Sequence, residues 1–413
     1  MEYGCIGEVL QHSFSKQIHS KLTEDSYELI ELTSDELSAF MTEKDFKAIN
    51  VTIPYQQKVL PFIAHLDRDA ESIGAVNTIV NRDGELYGYN TDFYGMSMLA
   101  FRAGIDFYDK KVLVLGTGGT ARTAVAVAKE QGAREVIYVS RKKTTTSCSY
   151  DDAYKRHRDA EIIINTTPLG MFPKILGKPI ELSKFPKLSG VLDAVYNPLR
   201  TPLILEAKKL GIPCEGGLFM LVAQAVRASE IFHGKKYPDG TLEKIYGELE
   251  QENTNIVLVG MPCSGKSSVG KLLAEKLGAE YFDSDEKIVE RVEMPISAYF
   301  QSKGEEAFRD VEGTVLLKAA VLSGAVISTG GGAILRSDNI SALRENGKIY
   351  FIDRPLEKLT PSEDRPLSST ADELKKLYGE RYERYCAVCD VRIDGDGTPE
   401  EVCQRILDDF LGK

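Results

Sequence analysis

The run Gly260-Met261-Pro262-Cys263-Ser264-Gly265-Lys266-Ser267 fits G-x-x-x-x-G-K-S. In such a loop the backbone N–H groups wrap phosphate oxygens, the lysine ammonium neutralises the β and γ groups, and the neighbouring hydroxyl helps to hold Mg2+. The chemistry expected is binding of a nucleoside triphosphate through Gly260, Pro262, Cys263, Ser264, Gly265, Lys266, Ser267 and Ser268. Asp283 and Asp285 close the next apolar run, at the carboxyl edge where α/β sheets bind ligands. One carboxylate can reach the metal and the other an attacking hydroxyl; the competing reading is a solvated acidic turn. Phe308-Arg309-x-x-Glu312 sets a cation and a carboxylate one helical turn apart on the same side. Gly330-Gly331-Gly332 is bare backbone, suited to close approach by a small polar ligand. Arg365, in a proline- and acid-flanked loop that would make a lid, and Arg381, in the helix beyond it, are natural clamps for carboxylates and transferring phosphoryl groups.

A second glycine loop, Gly116-Thr117-Gly118-Gly119-Thr120-Ala121, fits G-x-G-x-x-[G/A]. Glycines there let the backbone approach a pyrophosphate seated on a helix N-terminus, where free N–H groups and the dipole favour anions. A tight turn with no ligand has the same spelling. The next strand ends at Ser140-Arg141-Lys142-Lys143, hydroxyl and basic groups where an NAD site usually carries an acid for the ribose 2′-hydroxyl. Such groups suit a 2′-phosphate, so the cofactor expected is NADP(H).

Elements must hold these loops in place. Lys111–Gly116 and Asn255–Gly260 are apolar, β-like runs, each followed by its loop and then a helical pattern. After the first come Glu135–Ser140, Glu161–Asn165 and Val191–Tyr196; after the second come EYFDSD, AVISTG and KIYFID. This β-α-β rhythm predicts parallel, doubly wound sheets. Residues 1–100 contain short strands of their own, Ala48–Ile53 and Val76–Asn81 among them, and read as a separate α/β lobe. Thr398-Pro399-Glu400-Glu401 opens the last helix with a capping box and proline in its first turn. The polar stretch at residues 249–254 reads as a linker.

The chain has 413 residues, room for two to three domains, and a net charge of -11. An acidic chain without a long basic run predicts neither nucleic-acid nor membrane-surface partners. Seven dispersed cysteines read as reduced thiols, and Cys386-x-x-Cys389, lacking a second pair or nearby histidines, is a poor zinc site. The opening residues lack a basic stretch followed by an apolar one, and no run of about 18 apolar residues occurs. A cytoplasmic location, small-molecule ligands, and a monomer or homodimer are the expectations.

The motifs GMPCSGKS, FDSD, FRDVE, STGGG, DRPL and RYERY together resemble shikimate kinase across the whole C-terminal part. That resemblance implies ATP and Mg2+ as cofactors, with Ser267 and Asp283 at the metal and Asp285 on the attacking shikimate hydroxyl. Lys266 would act in catalysis, while Arg309, Arg381 and Gly330–Gly332 would hold the shikimate carboxylate and ring. Arg365 would be the lid arginine reaching the phosphates, although Pro355–Arg365 is short for the family's lid region.

Residues 1–248 resemble shikimate dehydrogenase through HSFS, NVTIPY, GAVNT, GYNTD, GTGGTA, NTTPLGM, DAVYNPLRTP and GGLFMLVAQA. The resemblance implies that Ser13, Ser15, Thr52, Asn77, Asp92, Tyr196 and Gln224 hold the substrate's carboxylate and hydroxyls. NADP would lie on Gly116, Gly118, Gly119, Thr120, Ala121, Ser140, Arg141, Lys142 and Thr166. One position departs from the pattern: Gln56 stands where the family carries its catalytic lysine, paired with the aspartate matching Asp92. An amide can hydrogen-bond a carbonyl but cannot transfer a proton at neutral pH, and general acid catalysis is typically a ~10²–10⁴-fold effect. Lys58, two residues on, would point about 200° away on a helix.

The expected protein is therefore α/β. It has an N-terminal substrate lobe (residues 1–100 with about 215–248), a Rossmann NADP domain (101–214) and a P-loop kinase domain with a parallel sheet (255–413). The expected function is NADPH-dependent reduction of 3-dehydroshikimate followed by ATP-dependent phosphorylation of shikimate. The rival is an active kinase fused to a dehydrogenase-like binding or scaffold module. Two further rivals are a nucleotide-regulated switch, and quinate in place of shikimate.

Overall fold

Lys111–Leu115 and Asn255–Val259 are buried at every position, as strands must be when helices cover both faces of their sheet. Each is the inner strand of a parallel sheet in the computed structural model, which describes residues 1–10, 14–360 and 370–412. The chain forms two compact units: residues 1–171, 177–197 and 203–249, and residues 250–413 with 172–176 and 198–202.

The first unit holds two sheets. Its dinucleotide-type sheet runs Cys214–Glu215, Gly190–Asp193, Ile162–Asn165, Lys111–Leu115, Glu135–Ser140, Ser147–Ser149, every neighbour parallel. From Lys111–Leu115 the chain crosses to Glu135–Ser140 on one side and later returns with Ile162–Asn165 on the other. This switch point opens a crevice at the carboxyl ends, where the glycine loop lies. Gly116 needs to be glycine on two counts: its φ is +114°, and a Cβ would fall 2.7 Å from Thr166 Oγ1. The helix Gly119–Glu130 follows, with Gly118 as its N-cap.

The other sheet is mixed, in the order Tyr27–Glu31, Tyr3–Gly7, Ala48–Val51, Thr78–Arg82, Glu85–Tyr89, His65–Leu66. Thr78–Arg82 and Glu85–Tyr89 form a hairpin over Asp83-Gly84, both at positive φ, the two-residue turn that matches strand twist. Helix Thr91–Arg102 packs closely on helix Leu218–His233 because Gly95 has no side chain. A Cβ there would lie 2.8 Å from the Met220 carbonyl oxygen and 3.1 Å from Gln224 Cβ.

The second unit repeats the parallel plan in the order Tyr281–Asp283, Val326–Ser328, Asn255–Val259, Gly347–Asp353, Val391–Asp394. Helix Lys266–Leu277 leaves the phosphate-type loop. Helix Ile296–Ala320 breaks at Gly304, and helix Pro399–Phe410 starts with the expected Thr398/Glu401 capping box. The stretch read as a linker is helical up to Asn253, as the last turns of helix Thr241–Asn253, with Leu249 buried. Its Glu and Gln residues are good helix formers, and one apolar side chain is enough to seat it. Among the described residues no helix is long and apolar enough to cross a membrane.

The close helix contact at Gly95 is testable. Gly95→Val is expected to cost about 1–3 kcal/mol through overpacking, read as a lower urea midpoint by circular dichroism.

Candidate functional site

In the first unit a cavity of about 590 Å3 lies where the ends of the two sheets meet. Ser15, Thr52, Gln56, Asn77, Asp92, Tyr196 and Gln224, scattered over more than half the chain, all line it, as do Gly118, Gly119 and Thr120 of the glycine loop. Ser13 lies outside the described residues. Gly116 and Thr166 brace the loop from beneath, Thr166 Oγ1 donating to the Leu115 carbonyl at 2.6 Å. Ala121 is buried in the helix that follows. Ser140 ends its strand, sharing a hydrogen bond with Ser147 at 2.9 Å and donating to the Lys142 carbonyl, while Arg141 and Lys142 are exposed.

Asp92 occupies the first turn of helix Thr91–Arg102. Asn77 faces it in one orientation only. Its Oδ1 accepts from the Thr91 N–H at 2.8 Å and the Thr78 hydroxyl at 3.0 Å, which leaves its amide nitrogen to donate to Asp92. Gln56 Nε2 lies 3.5 Å from Asp92 Oδ2, and its Oε1 faces Gly119 across the cavity. The Gln56 backbone is held by turns: the Thr52 carbonyl accepts from Tyr55 N–H at 2.9 Å, and the Gln56 carbonyl from Val76 N–H at 2.8 Å. Burial pushes the Asp92 carboxyl up to about 6, against the opposing effect of the hydrogen bonds from Asn77 and Gln56. Lys58 takes no part: exposed, it donates to Ser34 Oγ at 2.9 Å.

Two cavity residues escaped the sequence reading. Arg122 reaches across to Gln57, whose amide, once turned over, accepts through its oxygen from Nη1 at 3.2 Å and Nη2 at 3.3 Å. Its signal was a basic residue one place beyond the glycine loop. Asn50 accepts from the Tyr27 hydroxyl at 2.7 Å and donates to Thr78 Oγ1 at 3.1 Å, supporting Asn77 from below. Its signal was an amide inside a buried strand.

In the second unit Lys266 Nζ is buried, donating to the Gly260 carbonyl at 3.0 Å and the Met261 carbonyl at 2.8 Å. Cys263 and Gly265, both at positive φ, curl the loop around it, and Ser264 Oγ lies 3.5 Å from the ammonium. Ser267 Oγ donates to Asp283 Oδ2 at 2.8 Å, with Ser268 exposed beside it. Asp283 also caps helix Ser284–Val292, its Oδ1 accepting from Asp285 N–H at 2.9 Å. Tyr281, missed earlier although it shares a strand face with Asp283, donates to the same carboxylate at 3.0 Å.

The bare backbone at Gly330–Gly332 is needed. A Cβ at Gly330 would fall 2.7 Å from Asp285 Oδ1, at Gly331 2.9 Å from Pro262, and at Gly332 2.1 Å from Arg309 Nη1. Arg309 donates to Glu312 at 2.7 Å and Glu305 at 3.2 Å, and Arg381 donates to the Gly331 carbonyl at 3.0 Å. These two arginines, the three glycines and Pro262 line a small cavity of about 80 Å3, closed by Phe300, Phe308 and Leu377. Burial raises the Glu312 carboxyl, with Arg309 pulling the other way. Arg365 lies outside the described residues. The arrangement places a phosphate-type loop and a metal-type oxygen pair beside a cationic, glycine-floored pocket for a small anion.

Comparison with known proteins gives two family matches: the shikimate dehydrogenase substrate binding domain over residues 5–79 and shikimate kinase over residues 262–410. The chain is 37% identical over 272 residues to shikimate dehydrogenase (NADP(+)) of Clostridium perfringens, covering 60% of this chain and 98% of that enzyme. Shikimate dehydrogenase 1 from Peptoclostridium difficile is 32% identical with a TM-score of 0.55, over 60% of this chain and 98% of that one. A chorismate mutase/shikimate 5-dehydrogenase fusion protein from Clostridium acetobutylicum is 31% identical with a TM-score of 0.56, over 60% and 97%.

The buried pair in the second unit makes a stability prediction. Arg309→Leu strands the Glu312 carboxyl and is expected to cost about 3–5 kcal/mol. Adding Glu312→Leu should recover most of that loss in chemical denaturation.

Proposed function

The chain belongs to the shikimate dehydrogenase family through its first unit and carries a shikimate kinase domain in its second, and from that premise we propose two consecutive reactions of aromatic biosynthesis. The first is NADPH-dependent reduction of 3-dehydroshikimate to shikimate, the second ATP-dependent phosphorylation of shikimate to shikimate 3-phosphate. The observation that carries the reading is the meeting of Ser15, Thr52, Asn77, Asp92, Tyr196 and Gln224 around a cavity that opens on Gly118–Thr120. Hydroxyls and amides of that kind suit a polyhydroxylated ring acid, and the product of the first cavity is the acceptor for the second.

The residues fit the cofactors. A Cβ added at Gly118 meets nothing, so the backbone at this helix start is open to a pyrophosphate. Exposed Arg141 and Lys142 suit a 2′-phosphate. A bound nicotinamide would supply the hydride, while Ser15, Thr52, Tyr196 and Gln224, which line the cavity, would hold the substrate's carboxylate and hydroxyls and so orient its ketone. In the kinase unit the Ser267 hydroxyl and Asp283 carboxylate form a hard-oxygen pair, and Mg2+ takes few protein ligands of that type. A Mg2+ held there would offset the negative charge of the transferring group. Lys266 adds its ammonium there, Arg309 and Arg381 hold the shikimate carboxylate, and Asp285, beside Gly330, accepts the proton of the attacking hydroxyl. Arg365 is the lid arginine in this reading. Unpaired thiols and anionic products suit the cytoplasm.

Two measurements test the assignments. Asp285→Asn is expected to lower shikimate-dependent ADP formation by about 100-fold or more, while calorimetry finds ATP affinity little changed; equal loss of ATP affinity would reassign the residue. NADP+ is expected to bind at least about tenfold more tightly than NAD+, with Arg141→Ala/Lys142→Ala erasing the difference. Equal affinities in the unaltered chain would contradict the 2′-phosphate assignment.

A further inference from the structure

Ketone reduction needs a proton on oxygen as hydride reaches carbon, and Gln56 cannot supply one. Among the described residues, the titratable groups lining the first cavity are Cys5, Asp92, Arg122 and Tyr196. Burial pushes the Cys5 thiol up to about 12 and raises the Tyr196 phenol, and a guanidinium does not deprotonate in proteins. Asp92 remains. Its carboxyl sits between two amide donors, Asn77 and Gln56, on the cavity wall. Asn77 is locked by Thr91 and Thr78, and the Gln56 backbone by Val76.

The charged groups on the surrounding elements are engaged elsewhere. Lys58 is turned out to Ser34, Arg122 lies against the Gln57 amide, and on helix Leu218–His233 Arg227 pairs with Glu230 at 2.9 Å while Gln224 faces Thr91. The Asp92 carboxyl is governed by burial and its two amide partners, with no neighbouring charge among the causes.

We propose that Asp92 is itself the proton carrier of the dehydrogenase unit, and that Gln56 is a positioning residue whose amide N–H aims the carboxylate at the substrate oxygen. The inference rests on the dehydrogenase reading of this cavity. In the oxidative direction the substrate O–H bond breaks and its proton passes to an Asp92 carboxylate oxygen. The C–H electron pair leaves as hydride to NADP+, the C=O bond forms, and Asp92 then releases the proton to solvent. Reduction runs the same steps backward from the carboxylic acid. A carboxyl raised to about 6 can serve both directions, because a carrier near the working pH is neither too weak an acid nor too weak a base.

The sign of the pH dependence separates this carrier from a lysine. Oxidation needs the ionised carboxylate, so kcat/KM for shikimate should rise to a break near 6 and stay level above it. Reduction needs the acid, so kcat/KM for 3-dehydroshikimate should fall about tenfold per pH unit above that break, as the protonated fraction does. A lysine, with an ordinary pKa of about 10.4, would give oxidation that climbs through pH 8 and reduction that stays level.

Initial rates in both directions on the full chain between pH 5 and 9, with calorimetric shikimate binding, make the test. Asp92→Asn is expected to lower kcat about 100-fold or more in both directions while weakening shikimate binding far less. Gln56→Leu should lower kcat and move the break upward, because a hydrogen bond favouring the carboxylate is lost. Gln56→Lys should convert the profile to the lysine form. Turnover without a break near 6, turnover surviving Asp92→Asn, or shikimate binding without turnover at any pH would each overturn the proposal while leaving a shikimate-binding unit. Absence of both binding and turnover would bring down the dehydrogenase reading itself, and the proposal with it.

Discussion

A parallel strand buried on both faces offers free backbone groups only at its ends, and that constraint places the chemistry of this chain. Lys111–Leu115 and Asn255–Val259 are sealed along their length, so the first unpaired N–H groups appear where each strand turns into a helix. Both turns are glycine-bearing because the chain must pass close to a neighbour: Gly116 over Thr166, and Gly260, whose Cβ would meet the Ile352 carbonyl at 2.9 Å. The phosphate-type loops thus follow from the sheets, and the side chains that act on the small substrate are those that the neighbouring strand ends and helix starts bring to the same edge.

Three carboxylates show how local partners divide labour. Asp283 accepts from two hydroxyls and the N–H groups of a helix start, which fix both of its oxygens beside the phosphate-type loop. Glu312 is paired with Arg309 yet so buried that its carboxyl is still raised, which fits a role in fixing the guanidinium over Gly332. Asp92 has amides for partners in place of cations, and burial wins by enough to bring it toward neutrality. With a lysine at position 56 the charge would be compensated; with Gln56 it is not. The substitution therefore changes the neighbour as well as the position it occupies.

What the sequence made legible was whatever is encoded within about one turn or strand of itself. The two glycine loops, the strands ahead of them, the Arg309/Glu312 spacing and the Thr398 capping box all depend on neighbours a few residues away. The substrate-side residues Ser15 to Gln224 were placed by family resemblance, since nothing in their spacing says that they converge. Contacts with no local signature stayed hidden: Arg122 on Gln57, Tyr27 on Asn50, and Gly95 under Met220 each join segments far apart in sequence. At residues 249–254 the chain passes from one unit to the other as the end of a helix, and its polarity marks the solvent face of those turns up to Asn253, which a polar composition alone does not distinguish from a loop.

The net charge of -11 also changes meaning. Every ligand inferred for this chain is an anion, and an acidic protein would be expected to repel them at long range. Screening confines that repulsion to about 8–10 Å at ordinary salt, whereas the groups that would hold the anions act at contact. Lys266, Arg309 and Arg381 are 6%, 7% and 5% exposed, in surroundings where a charge–charge interaction is several times stronger than in water. The glycine loops add oriented N–H groups that carry no formal charge at all. Selection for an anion at contact is thus separable from the surface charge of the chain, which is why the net charge says nothing about these ligands.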